Sequence, residues 1–299
     1  MRKVVFAAAV GATMVAFAAA DSKTDSFKAH FAERAKGPIT VDGKFDEPDW
    51  KTAEPILDWG PTTFLRRTPA EMPETWIKYL WDDKYLYIAM RCGEEDFPEE
   101  NMKLFRKNDY NKAQPVYNRD CVELHLDGNN DRHTKFQIWF SPTEERQIFW
   151  YYDFGWGLLE DANYGLNADW HYKVSVDEKG WQFEARLALA HFEMTGREGS
   201  ICAAEPCRFR LMKHMKGVDG ADLGVTTRLW GWSTQGGEHH ETAKYGKIIF
   251  ANKKPKDIVE GLRLVYKDLD ERKIFVQTTT DYNLVENGKV KKVPYLQKA

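Results

Sequence analysis

Apolar and polar residues alternate in two neighbouring stretches of the chain, residues 121–126 and 132–140. Since successive side chains of a strand point to opposite faces, each stretch has one apolar face and one polar face. The polar faces carry Cys121, Glu123 and His125, and then His133, Lys135, Gln137 and Trp139. The loop between them contains Gly and Asn residues that tolerate left-handed backbone conformations, which predicts an antiparallel hairpin.

The simplest register of this hairpin closes symmetrically on its loop. That register pairs Glu123 with Lys135, Cys121 with Gln137, and His125 with His133. One side of the hairpin is then suited to a core, and the other presents hydrogen-bond donors, hydrogen-bond acceptors and an indole. We expect the polar side to project outward into one concavity that holds a polar ligand.

The same periodicity predicts many short strands and little helix in the rest of the chain. Hairpins are predicted at 76–92 and 170–187, and further strands at 147–152, 207–212, 228–233 and 244–250. No helical pattern of 10 to 15 residues separates them. The sequence therefore predicts an all-β protein, an antiparallel β-sandwich of jelly-roll-like type.

The two ends of the chain differ from this β-rich body, which we place at residues 37–251. Residues 1–20 combine two basic residues with an apolar stretch and three alanines, which predicts a signal peptide. The apolar stretch is shorter than the roughly 20 residues that span a bilayer, so we expect a secreted or periplasmic protein without a membrane span. Residues 252–299 form a linker and a C-terminal extension, which either packs on the sandwich or stands alone.

Charge and cysteine content restrict the partners and the compartment. The net charge is −3, and loss of the two basic residues of the signal makes it −5, which argues against a nucleic acid partner. The four cysteines are compatible with an oxidising compartment. Cys202 can pair with Cys207 and Cys92 with Cys121, but four free buried thiols are an equal alternative.

Five segments of the chain resemble, in the same order, the signature segments of family 9 carbohydrate-binding modules. They are Thr40–Trp50, Leu80–Ala89, Arg119–Asp127, Gly180–Arg186 and Lys244–Ile249, and the resemblance runs from about residue 38 to about residue 250. It implies a non-catalytic module that binds a mono-, oligo- or polysaccharide and accompanies polysaccharide breakdown. It also implies a β-sandwich, in agreement with the strand pattern.

The resemblance assigns candidate sugar-binding residues. Tyr117 falls where the family has its first aromatic wall, Glu123 where it has an acceptor for sugar hydroxyls, and Gln137 where it has a basic donor. The tryptophan of the second wall falls on residues 238–240, so His239 or His240 stands in for it. Glu123 and Gln137 also lie on the polar hairpin face that alternation selects.

The physical logic of such a site adds two further aromatic candidates. A sugar ring has an apolar face that stacks on an aromatic side chain and a rim of hydroxyls that bind carboxylates and amides. Trp139 and Trp232 are the additional aromatic candidates, although core packing is the common role of a tryptophan. Glu123 has an alternative role as the cross-strand partner of Lys135.

A structural calcium ion is also implied by the resemblance. Hard oxygen ligands suit calcium, and the candidates are Asp42, Asp46, Glu95 and Asp96, with Glu94 beside them. Residues 127–131 imitate the start of a calcium loop, but Arg132 and Ile138 occupy the positions of its Gly and Glu, so we interpret this segment as a turn. His125 opposite His133 lacks a third zinc ligand nearby.

Other functions remain as alternatives. A carboxylate pair such as Glu123 with Glu184 or Asp120 could serve a glycosidase, but the sequence has no catalytic motif that singles it out. A haem-binding electron-transfer sandwich is the second reading, with Met90, Met212, His214 or Met215 as axial ligands. A structural envelope protein that uses exposed aromatic residues as an interface is the third.

Overall fold

A computed structural model describes residues 26–61, 73–94, 116, 120–152, 169–212, 226–234, 239–252, 254–255, 257–278 and 281–293. Two short α-helices are described, α1 (Pro48–Thr52) and α2 (Ile258–Arg263). The described strands are β1 (Ser26–Arg34), β2 (Gly60–Pro61), β3 (Thr75–Trp81), β4 (Tyr85–Gly93), β5 (Cys121–Asp127), β6 (Thr134–Phe140), β7 (Gln147–Tyr152), β8 (Trp170–Val176), β9 (Gly180–Ala188), β10 (Ile201–Met212), β11 (Thr226–Gly231), β12 (Gly246–Ala251), β13 (Lys273–Thr278), β14 (Asp281–Glu286) and β15 (Lys289–Val293). The predicted signal peptide lies outside the described residues.

The strands form one curled, mixed sheet. Its main path runs in the order β7-β6-β5-β10-β12-β1-β3-β4-β9-β8. Most neighbours are antiparallel, but β1 lies parallel to β12, β13 and β3. The half that begins with β7 faces the half that ends with β8 across a shared core.

The two halves enclose the main hydrophobic core. Phe140 of β6 stacks on Phe183 of β9, with ring centroids 4.5 Å apart and ring planes 14° apart. Tyr172 of β8 meets Phe140 edge-on at 5.2 Å. Val122 and Leu124 supply the apolar face of β5 to the same core. The predicted all-β sandwich is confirmed.

Both ends of the described chain extend the sheet beyond the predicted domain boundaries. Strand β1 precedes residue 37 and pairs with three strands. Strand β13 pairs with β1, and a second core joins Ala29 and Ile249 to Leu262 and Ile274. The described part of the C-terminal extension therefore packs on the sandwich, which is the first of the two alternatives.

The hairpin of β5 and β6 forms, but its predicted register is wrong. Glu123 opposes Trp139 and His125 opposes Gln137, a displacement of four residues along β6. The loop is longer than the symmetrical closure requires, because the Asp127 carboxylate accepts the N–H groups of Asp131 and Arg132 at 3.1 and 2.8 Å. The pairs of Glu123 with Lys135 and of His125 with His133 are therefore absent, whereas the turn itself is confirmed.

Glu184 connects two of the recognised segments. Its carboxylate accepts hydrogen bonds from the N–H groups of Asp42 and Gly43, each at 3.0 Å, and from Trp50 Nε1 at 2.8 Å. Gly43 has a φ of +85°, and a Cβ there would lie 2.9 Å from the backbone carbon of Val174. These residues hold a loop against β9, so Glu184 has a structural role.

The cysteines and helices complete the description. Cys92, Cys121, Cys202 and Cys207 are buried free thiols, the second of the two alternatives. Among the described residues, no helix has the length and apolar character that a bilayer crossing requires.

Candidate functional site

Four neighbouring strands bring polar and aromatic side chains together on the outer face of one half of the sandwich. The register places Glu205 of β10 beside His125, and Tyr151 of β7 beside Lys135. Alternation then assigns to this face Cys121, Glu123, His125, Lys135, Gln137, Trp139, Phe149, Tyr151, Glu205, Cys207 and Phe209. We call this set the polar face. The alternation in the sequence predicted its members on β5 and β6.

The polar face is covered, so the expectation that Glu123 and Gln137 project into an open concavity is wrong. Glu123 is 2% exposed and Gln137 is 5% exposed. One reason is that the Tyr151 hydroxyl donates a hydrogen bond to Gln137 Oε1 and lays the tyrosine ring beside it. His239 and His240 lie over the other end of the same face, next to His125.

Three histidine rings meet at that end. The ring centroid of His125 lies 5.3 Å from that of His239 and 4.9 Å from that of His240, and the last two rings lie 4.3 Å apart. Nε2 of His125 lies 3.1 Å from Glu123 Oε1. His133, the partner that the symmetrical register predicted for His125, is exposed in the loop. His239 and His240 were predicted site residues, but their contact with His125 was not predicted.

Lys135 fixes the position of the histidines. Its Nζ lies 3.0 Å from both the backbone oxygen and the Nδ1 atom of His240, and 3.4 Å from the Tyr245 hydroxyl. That hydroxyl donates a hydrogen bond to the backbone oxygen of His239 at 3.1 Å. Both histidines are thus held over the polar face by side chains of β6 and of the residue before β12.

Burial keeps His125 and His240 neutral and Tyr151 protonated. Burial lowers the pKa of His125 well below its usual value, and it lowers the pKa of His240 to about 2, with His125 and Lys135 contributing in the same direction. Burial raises the pKa of Tyr151 to about 12. At neutral pH the imidazoles of His125 and His240 therefore retain lone pairs, and the Tyr151 hydroxyl retains the proton that it donates to Gln137.

The accessible part of the face is aromatic. Tyr151, Phe209 and His240 are each half-buried, and the centroids of Tyr151 and His240 lie 6.4 Å apart. Lys135 Nζ lies 5.2 Å from the Tyr151 ring centroid, a cation–π distance. The sequence analysis missed Tyr151 and Phe209 as site residues. The alternation of β7 and β10 places Tyr151 and Phe209 on one face of their strands. The sequence does not show which strands are neighbours, so it did not connect these residues to the polar face.

The other predicted aromatic residues have different surroundings. Trp139 is buried in a small cluster with Val116, Cys121 and Phe149. Trp232 is fully buried in the main core. Tyr117 lies outside the described residues, so its predicted role as an aromatic wall stays a prediction.

The predicted calcium ligands do not converge within the described ranges. Asp42 pairs with Lys44 at 3.2 Å, Asp46 is exposed, and neither belongs to a described group of three ligands close enough to share an ion. Glu94 forms ion pairs with Arg208 and Arg210 at 2.5 and 2.6 Å. Glu95 and Asp96 lie outside the described residues. Calcium binding stays a prediction.

The haem-ligand candidates are only partly described. Met90 is fully buried in the main core between the sheet halves. His214 and Met215 lie outside the described residues, and the side chain of Met212 is not described. The described part of the chain therefore brings no second candidate ligand to Met90.

Comparisons with known proteins agree with the recognised segments. The chain is 32% identical over 238 residues to endo-1,4-beta-xylanase A of Thermoanaerobacterium saccharolyticum, and 24% identical over 227 residues to endo-1,4-beta-xylanase C of Paenibacillus barcinonensis. The alignments cover 79% and 73% of this chain but 17% of each xylanase, so the chain spans less than a fifth of these relatives.

A solved structure and a family model complete the comparison. A carbohydrate-binding module of family 9 from Caldicellulosiruptor kristjanssonii, in complex with cellotriose, matches with a TM-score of 0.45 and 17% identity, covering 78% of this chain and 97% of that chain. The model of the carbohydrate family 9 binding domain-like family matches residues 41–253 of the 299. Since this match covers more than half of its length, the chain belongs to the carbohydrate family 9 binding domain-like family.

Proposed function

We propose that this chain is a non-catalytic carbohydrate-binding module that stacks a sugar on the aromatic rim of the polar face. Tyr151 and His240 form the described part of this rim, and Glu123, Gln137 and Lys135 lie beneath it. The sugar ring rests on the aromatic surface, and its hydroxyls take over hydrogen bonds that Tyr151 and its neighbours make to the polar groups in the free protein. Tyr117 remains the proposed opposite wall.

One observation carries this proposal: half-exposed aromatic rings lie directly over buried hydrogen-bonding groups in a chain of this family. The Tyr151 hydroxyl already bonds to Gln137, and the Lys135 ammonium lies under the Tyr151 ring. A hydroxyl of a bound sugar replaces such partners without leaving a buried polar group unsatisfied.

The surrounding carboxylates support a binding role over a catalytic one. Glu205 accepts hydrogen bonds from the N–H groups of Ser233 and Thr234 at 2.8 and 3.2 Å, and from both hydroxyls of these residues. Glu184 is occupied by three N–H donors in the other half of the sandwich. A glycosidase needs two available carboxylates across a cleft. Neither Glu184 nor Glu205 is therefore available as a catalytic partner of Glu123.

The relatives suggest the biological setting. Two of them are named as endo-1,4-beta-xylanases, and this chain matches only a small part of each. We propose that it acts beside polysaccharide-degrading enzymes and binds β-1,4-linked chains such as xylan. The sequence of residues 1–20 supports export to a secreted or periplasmic location.

Isothermal titration calorimetry of the purified protein tests the proposed function. The probes are xylose, glucose, xylo- and cello-oligosaccharides and soluble xylan. Tyr151→Ala removes the ring and should weaken binding about 5- to 10-fold, the equivalent of about 1 to 1.5 kcal/mol of aromatic stacking. Tyr151→Phe keeps the ring and loses only the hydroxyl, so its effect should be smaller.

Tyr85→Ala is the matched control. Tyr85 is a half-buried tyrosine of β4, in the opposite half of the sandwich, and its hydroxyl bonds to Asp169 at 2.8 Å. This variant should bind sugar as the unmodified protein does. If none of the probes binds, or if Tyr151→Ala and Tyr85→Ala have equal affinities, the proposed site is wrong.

A further inference from the structure

We propose that His125, His239 and His240 form a binding site for a divalent transition metal ion, for which zinc is the best match. One ligand atom from each residue can be chosen so that all three lie within 4.8 Å of one another. This site is separate from the predicted calcium ligands, and it does not depend on the proposed sugar binding.

The geometry is close to that of a zinc site. Zinc binds imidazole nitrogens at about 2.1 Å, so tetrahedral coordination needs nitrogens about 3.4 Å apart. The widest pair must therefore approach by about 1.4 Å at most. His239 and His240 lie in a turn, where small changes of side-chain torsion suffice, while His125 is fixed on β5.

His125 provides an independent indication of a ligand. Its side chain is fully buried, and neither ring nitrogen has a hydrogen-bond partner, although Nε2 lies 3.1 Å from Glu123 Oε1 without suitable hydrogen-bond geometry. Buried imidazole nitrogens are ordinarily paired, since an unsatisfied polar group costs about 1 to 3 kcal/mol. A metal ion satisfies such a lone pair directly.

The chemical character of the donors selects the ion. Neutral imidazoles suit zinc, copper and nickel, whereas calcium and magnesium prefer oxygen ligands. Glu123 supplies a carboxylate oxygen next to His125 as a fourth ligand, or orients the ring as an outer partner. Histidine nitrogens and carboxylate oxygens are both usual zinc ligands.

Lys135 opposes the ion and limits its affinity. Its Nζ lies 3.0 Å from His240 Nδ1, so a metal ion must displace this ammonium or use Nε2 of the same ring. Either route places the metal ion and the Lys135 ammonium, both positively charged, near each other at a buried location. We therefore expect micromolar affinity instead of the much tighter binding of a dedicated structural zinc site.

Calorimetric titration of the metal-free full-length protein with zinc tests this site. The unmodified protein should bind one zinc ion with a Kd below about 10 µM. His239→Ala and His240→Ala should each weaken binding by at least about 10-fold, since each removes a direct ligand. His133→Ala is the control, because His133 is an exposed histidine of the neighbouring loop, and this variant should bind as the unmodified protein does.

A cobalt(II) titration separates loss of the site from loss of the fold. Tetrahedral coordination by nitrogen and oxygen gives visible absorption bands, which should appear in the unmodified protein and in His133→Ala and disappear in His240→Ala. Thermal unfolding of each variant confirms that it is folded. Zinc binding with a Kd above about 10 µM would overturn the proposal. Unchanged zinc affinity and unchanged cobalt bands in folded His239→Ala and His240→Ala would overturn it as well. Sugar binding is measured separately with a chelator present, so neither result affects the proposed function.

Discussion

Replacement of Lys135 by methionine tests the polar face in the most quantitative way. Lys135 is only 7% exposed. Its ammonium lies within 3.0 Å of the backbone oxygen of His240 and 3.4 Å of the Tyr245 hydroxyl. Methionine has a similar length and fills the same space, so Lys135→Met removes the charge and the donors with little change in volume.

The expected cost follows from these contacts. A hydrogen bond to a charged group contributes about 1.5 to 3 kcal/mol net, and an acceptor left buried without a donor costs about 1 to 3 kcal/mol. Two effects reduce the total: methionine removes the desolvation cost of the ammonium, and water reaches the half-buried His240. We expect a loss of about 1 to 3 kcal/mol in the free energy of unfolding.

Equilibrium unfolding in urea measures this loss, and Lys173→Met is its control. Lys173 forms an ion pair with Glu144 at 2.9 Å, but it is 44% exposed. Exposed pairs contribute about 0 to 1 kcal/mol, so the control should lose less stability than Lys135→Met. Equal losses in the two variants would show that Lys135 does not secure the histidines as described.

Two further predictions concern the frame of the site. Gly246→Ala should lower the free energy of unfolding by about 3 kcal/mol or more, because its Cβ would overlap the fully buried Trp232 ring; a melting temperature equal to that of the unmodified protein would contradict this packing. Burial raises the pKa of Asp127 to about 6 from its usual 3.8, so its contribution to stability is complete below about pH 4 and is lost as the pH rises through about 6. Between pH 4 and 7.5, stability measured by urea unfolding should therefore decline by up to about 3 kcal/mol more in the unmodified protein than in Asp127→Asn, and parallel pH profiles for the two proteins would refute this assignment.

Alternation in the sequence predicted which side chains of β5 and β6 share a face. This succeeded because a displacement of four residues moves every side chain by whole two-residue periods and leaves its face unchanged. The pairing itself was wrong, since it depends on where the loop begins and ends. Asp127 binds two backbone N–H groups, and this local chemistry lengthens the loop beyond the symmetrical turn.

Long-range contacts could not be predicted from the sequence. Strand β1 lies outside the recognised segments, and its parallel pairing with β12 and β13 joins distant parts of the chain. The meeting of His125 with His239 and His240 likewise depends on tertiary packing over more than a hundred residues. The sequence predicted His239 and His240 as site residues but paired His125 with His133, because only the register of the local hairpin could be predicted.

The aromatic rim depends on strand order. Tyr151 reaches the site because β7 pairs with β6, which places it beside Lys135. The sequence predicted β7 as a strand but did not predict which strand pairs with it. The covering of Glu123 and Gln137 could not be predicted either, since it results from Tyr151 and the histidines packing over the polar face.

The most direct test of sugar binding at this face is an NMR titration of the isotopically labelled protein with xylo- and cello-oligosaccharides. The largest chemical-shift changes should fall on Tyr151, His240 and their neighbours on β6 and β7, and should saturate with added sugar. Shifts confined to the other half of the sandwich or to the C-terminal strands, or no shifts with any of these sugars, would contradict the proposed function.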